Sequence, residues 1–290
     1  MLKQSPAFNL VAALTAQLET AANALEGPHP DEAVHRGRTG LKRARALAHL
    51  ARKAEPHLSE AAVTAIRPIM RSLSAARDLT ALEAAAKAAA DEAPTAIRPT
   101  LLGAARKLNA KRKLAVEAPT AIRPTLLGAA RKLNAKRKLA VEAPLAAAAS
   151  DTRALAGAVT GWPPVSTAAL EAGAARLARR AKRAYAKVCK SKSEDDRHEW
   201  RQREKERLYA VLLLGPHWPA SLPRRRRSAQ RLGEALGRER DLSLLMDLFR
   251  QDPSLSDSPD EADRVLAALA KLHDKARKRA DKLGKRVHRS

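Results

Sequence analysis

The sequence predicts an all-α protein built as two related antiparallel helical bundles. Three observations carry this. Strand-favouring Val, Ile, Tyr, Phe and Trp are scarce, while Ala, Leu, Lys, Arg and Glu dominate, a composition that favours helix throughout. Apolar residues make up 45% of the chain and recur with regular spacing, which argues against disorder. The first half also reappears faintly in the second, shifted by 163 positions.

In chain order, helices are expected at 6–25, 30–54, 58–90, 100–116, 125–141, 144–158, 166–190, 194–214, 222–249 and 259–286. The breaks carry recognisable punctuation: Gly27-Pro28, Gly161 with Pro163 and Pro164, Gly215-Pro216, and Asp252-Pro253. The double proline divides the chain into an expected first unit, 1–160, and a second, 161–290. Residues 93–117 and 118–142 are identical, an exact 25-residue duplication reading APTAIRPTLLGAARKLNAKRKLAVE. In each copy the second proline, Pro99 or Pro124, suits the first helical position, where its missing N–H costs nothing.

The fainter repeat is more informative. At the 163-residue offset His35 falls on His198, Arg38 on Arg201, Lys42 on Lys205, Pro56 on Pro219, and Arg77-Asp78-Leu79 on Arg240-Asp241-Leu242. Ten of the 48 positions from His35 to Leu82 are identical, and many are polar, uncommon and in the same order.

Charge narrows the partners. A formal net charge of +25, with 56 Lys and Arg against 31 Asp and Glu, favours a polyanion: nucleic acid, polyphosphate or an anionic membrane surface. The chain has only three Trp, two Tyr and two Phe, too few for the stacking platforms that sequence-tolerant single-strand binders use. The surface is suited to phosphates rather than bases. The one cysteine, Cys189, excludes an intrachain disulfide and a cysteine-based metal cluster, and is expected as a small core residue. The longest apolar run, 209–214, falls far short of a membrane span. The N-terminal segment reads as an amphipathic helix rather than a signal peptide, so the expected compartment is the cytoplasm.

The cations are ordered. His35, Arg38, Lys42, Arg45, His49 and Arg52 follow spacings of 3, 4, 3, 4 and 3, which puts all six on one helix face. The stripe extends roughly 25 Å at about 1.5 Å per residue. Its unpaired like charges cost on the order of 1–2 kcal/mol, which a bound anion would offset. Similar stripes are formed by Arg176, Arg179, Arg183, Lys187 and Lys190, by Lys271, Lys275, Lys278, Lys282 and Lys285, and by His198, Arg201 and Lys205; Arg224 to Arg227 add a loop-like basic run. A solvated face is the plain alternative for any one stripe, and it weakens as stripes accumulate. Arg77-Asp78 and Arg240-Asp241 are expected to be structural, each Asp pairing with a cation on a neighbouring helix.

The pattern His35-x-x-Arg38-x-x-x-Lys42-Arg43-x-Arg45, followed by Ala76-Arg77-Asp78-Leu79, resembles the CHAD family, the conserved histidine α-helical domains. The second half repeats it as His198-x-x-Arg201-x-x-x-Lys205 and then Leu236-Gly237-x-x-x-Asp241-Leu242. The resemblance implies two pseudo-symmetric antiparallel helical bundles with a basic central surface between them, binding of inorganic polyphosphate and association with polyphosphate granules. The matching binders are His35, Arg38, Lys42, Arg43, Arg45, His198, Arg201 and Lys205. The stripes add His49, Arg52, Arg179 and Arg183. Where the family pattern has an Arg directly before a Tyr, Leu208 precedes Tyr209 and Arg207 sits one place early, so Arg207 joins the candidates.

Polyphosphate is therefore the expected partner, with nucleic acid as a competing polyanion. The alternative is a DNA-binding or chromatin-like protein, although no helix-turn-helix, zinc finger or aromatic RNA platform is evident. An enzyme is not expected. There is no glycine-rich phosphate loop, no carboxylate cluster suited to Mg²⁺, and no metal or organic cofactor is called for.

Overall fold

A computed structural model describes residues 8–117, 129–191, 193–222 and 226–288, with side chains described outside 31, 74–80, 111–117 and 129–144. The described chain is all-α. Its helices are α1 (Leu10–Leu25), α2 (Pro30–Ala51), α3 (Pro56–Ser72), α4 (Ser74–Glu92), α5 (Arg98–Glu117), α6 (Ala129–Thr160), α7 (Thr167–Ser191), α8 (Glu194–Leu214), α9 (Arg226–Gln251) and α10 (Pro259–His288). Short 3₁₀ turns precede α5, follow α8 and link α9 to α10.

The ends follow local chemistry. Asn9 caps α1 by accepting the Ala12 N–H at 3.0 Å. Pro30 and Pro56 open α2 and α3, where a missing N–H is harmless. Glu194, Asp195 and Asp196 place negative charge on the first turn of α8, and Gly215, at φ +53°, ends it.

Three expectations are corrected. The single helix expected over 58–90 breaks at Leu73, while Pro68 lies inside α3. A mid-helix proline removes one backbone hydrogen bond, but buried Ile66 and Ile69 beside it hold that turn against the core. The helix expected to begin at Pro144 is instead continuous with the one before it as α6, and Leu145, Ala148, Ala149, Ala156 and Val159 turn the face of its second half to the core. The expected start near 125, with Pro124, lies outside the described residues. Cys189 is exposed rather than in the core.

The apolar core has three parts. One joins α1, α2, α3 and α6 with the start of α7 and the end of α8. A second joins α4 and α5 to α9 and α10. The third lies among α7, α8, α9 and α10 around fully buried Trp200. Each completely buried Leu, such as Leu14, Leu18, Leu41 and Leu47, contributes about 1.5–3 kcal/mol. Close approach matters at Gly40, where a Cβ would come within 2.8 Å of Ala21 and so hold α2 off α1. The outcome for function is that α2 and α8 lie side by side, with α9 packed on α8 and on α4.

Candidate anion-binding groove

The stripe on α2 and the stripe on α8 face the same groove. It has a volume of about 460 Å³. Arg38, Lys42 and Arg45 enter it from α2, and His198, Arg201, Gln202, Lys205, Glu206 and Tyr209 from α8. Gly237, Arg240, Asp241 and Leu244 close it on the α9 side, with Ala81 and Leu82 of α4 at one wall. Helical periodicity explains the selection: positions 198, 201, 202, 205 and 209 share one face of α8. Six guanidinium and ammonium groups thus face two carboxylates, Glu206 and Asp241.

The cations are held rather than trailing. Arg38, Lys42, Arg45, Arg201, Lys205 and Arg240 are all half-buried. The Arg38 guanidinium donates to the Met70 carbonyl in the last turn of α3. The groove field is visible in its titrating neighbours. Burial, and then the positive charges of Arg240 and Arg201, hold the His198 imidazole below its ordinary value, partly opposed by Asp195. Burial pushes the Tyr209 phenol up, against Arg43, Arg201 and Arg45. His198 and Gln202 meet at 2.7 Å between their Nε2 atoms.

Glu206 forms the floor. Burial pushes its carboxyl up, but contact with His49 and the charges of Arg203 and Arg180 outweigh that and hold it at about 2. His49 Nε2 stands 3.6 Å from it.

Of the sequence candidates, Arg38, Lys42, Arg45, His198, Arg201 and Lys205 come together. His35, one turn before Arg38, and Arg43 are exposed beside the groove rather than in its lining. Arg52 ends the α2 stripe at the helix C-cap, outside the groove lining, and Arg179 and Arg183 are exposed on α7. Two candidates are corrected. Burial holds the His49 imidazole below its ordinary value, against the pull of Glu206, so near neutral pH it offers no charge to a ligand. Arg207 is 4% exposed and forked onto buried Glu204 at 2.9 and 3.1 Å. Its one-place shift in sequence turns it by about 100°, from the groove into the core.

Arg240 corrects the sequence reading in the other direction. Expected to be structural beside Asp241, it lines the groove. The repeat at 163 residues is the signal that could have flagged it. The side chains of its sequence counterparts, Arg77 and Asp78, lie outside the described residues. Gln202 and Tyr209 were missed because neither belongs to a charged stripe. The lysines of α10 form an exposed ridge, where Lys278 pairs with Asp274 at 2.7 Å and Lys275 approaches Glu92 at 3.9 Å. Among the described residues, no group of three or more His, Cys, Asp and Glu is placed to hold a metal ion, and no helix is long and apolar enough to cross a membrane.

The family model described as the CHAD domain matches residues 10–250. The crystal structure of the CHAD domain from the plant Ricinus communis aligns with a TM-score of 0.55 at 20% identity, over 98% of this chain and 93% of that one. At that identity the likeness is one of fold. No curated protein matches the chain.

Proposed function

The chain belongs to the CHAD family, and on that premise we propose that it binds long phosphate polyanions, inorganic polyphosphate first among them, without catalysing a reaction on them. The observation that carries the reading is the convergence of two basic stripes, 163 residues apart in sequence, on one groove that Arg240 completes. Arg offers forked, charge-assisted hydrogen bonds to phosphate oxygens, and Lys a compact point charge. A flexible polyanion can follow such a surface without a matched lattice of bases. On this reading 1–160 and 161–290 are two copies of one unit, each giving a helix to the groove. Association with polyphosphate granules then follows from affinity for the polymer.

A competition titration at fixed salt tests this, with long polyphosphate against duplex DNA. Polyphosphate should displace DNA at equal phosphate concentration. Preferential retention of DNA would replace this reading with a nucleic-acid-binding one. Both ligands weaken steeply with salt, so only competition separates them.

A further inference from the structure

Gly173 lets α7 lie directly on α2, because a Cβ there would collide with the Leu50 carbonyl. That contact sets the next turns of α7, carrying Arg176 and Arg180, over the C-terminal end of α2, where Arg52 ends the stripe begun by His35. Arg203 reaches the same place from the side of α8 turned away from the groove. Arg176 donates to the His49 carbonyl at 2.6 Å. Arg180 stands 3.8 Å from Glu206, and Arg203 bonds to the same carboxylate at 3.2 Å.

Negative charge is short in this cluster. Glu206 is its one buried carboxylate, and it also lines the groove on its other side. Glu199 is shared with Lys187. Glu60 is 71% exposed and only 4.0 Å from Arg52 at nearest. Arg176 has no carboxylate partner among the described residues, and its buried Nε has no hydrogen-bond partner. Burial holds Arg176 and Arg180 below the ordinary arginine value; in each case neighbouring guanidiniums push further, with Glu206 opposing. Half-buried cations that share one buried carboxylate repel one another, and a bound oxyanion would relieve that repulsion.

We propose that Arg52, Arg176, Arg180 and Arg203 form a second oxyanion site, behind the groove, that takes a compact phosphate anion such as tripolyphosphate or the end of a longer chain. Glu206 and His49 separate it from the groove. The class of ligand rests on the reading of the groove; the site itself rests on the arginines.

Calorimetric titration of the full chain with tripolyphosphate tests it. Two binding events are expected for the unaltered chain, and one for Arg52→Gln/Arg180→Gln. Arg201→Ala/Lys205→Ala, in the groove, should lose the other event. Arg180→Lys keeps the charge but loses the fork, and should weaken the second site about tenfold. This variant carries the test if the double glutamine variant does not fold. A single event in the unaltered chain overturns the proposal. So does an Arg52→Gln/Arg180→Gln titration no different from Lys278→Gln/Lys282→Gln, which removes equal charge from exposed α10. If the groove variant keeps both events, the groove reading fails and the arginine site stands.

Discussion

Two faces of α8 carry the same kinds of residue to different ends. On the groove face, Arg201 and Lys205 stand among other cations with few carboxylates in reach. On the opposite, core-facing side, Arg207 is forked onto Glu204, and His288 of α10 meets that same carboxylate at 2.6 Å. Arg197 is likewise held by Glu239 at 2.7 Å and by Asp281 at 2.9 Å. The difference is the counter-ion. Where the fold supplies the carboxylate, an arginine serves as internal structure. Where cations outnumber carboxylates six to two, as in the groove lining, a surplus of positive charge remains. Helical spacing reports which cations share a face; it does not report what they face.

The sharpest way to break this comparison is Arg207→Leu. It leaves Glu204 in the core with only His288 beside it and should cost about 3 kcal/mol of stability, read from denaturant unfolding, with polyphosphate affinity of the folded protein unchanged. If affinity falls while stability holds, the two faces have been assigned the wrong way round.

Arg201→Ala/Lys205→Ala should do the reverse. Polyphosphate affinity should fall on the order of a hundredfold for two lost charge-assisted contacts, with stability changed by less than about 0.5 kcal/mol. The slope of log affinity against log salt should flatten by about two units. Lys278→Ala/Lys282→Ala removes the same charge from α10 and should weaken binding far less, since those side chains are solvated and lose more freedom on binding. Equal losses in the two variants would mean a diffuse electrostatic cloud instead of a groove.

Glu206 belongs to both faces, and acid reports on it. Its carboxyl sits at about 2 against an ordinary 4.5. A depressed carboxyl stabilises the fold above its unfolded value and loses that contribution as pH falls through the folded one. Up to on the order of 3 kcal/mol should therefore disappear between about pH 4.5 and 2. His49 adds a shallower loss that begins below its ordinary 6.5, because the unfolded chain takes up a proton that the folded imidazole resists. Thermal melts across pH should show both stages, and Glu206→Gln should abolish the lower one. An unchanged acid limb in that variant would remove Glu206 from its place beneath the groove.

The smallest effect is expected from deleting 118–142, which carries six Lys and Arg and one Glu. If bulk charge drives binding, affinity falls; if the groove does, affinity for polyphosphate is nearly unchanged.

Much of this was legible in the sequence, for reasons specific to certain residues. The all-α class followed from composition, and the bounds of α8 follow from its acidic first turn and from Gly215. Arg38, Lys42, Arg201 and Lys205 emerged because the offset repeat pairs them, and Arg45 because it continues the α2 stripe. The break at Leu73 did not emerge, because residues 69–92 carry neither glycine nor proline to mark it and only tertiary packing decides where the chain turns. Arg207 was misassigned because a cation one place out of register looks the same on paper. The arginine cluster behind the groove draws on α2, α7 and α8 at once, and Gly173, which brings two of them together, has no signature a single sequence can reveal.

The hydrogen bond from Arg38 to the Met70 carbonyl ties the groove to the corner between α3 and α4. If the groove takes phosphate as proposed, its affinity depends on residues that never meet the ligand. A drift at Leu73 or Met70 that re-angled this corner would pass as a neutral change in the scaffold, yet it would turn one of the groove's guanidiniums. Among relatives, divergence in ligand preference can thus begin at a helix corner while every cation in the groove is still in place.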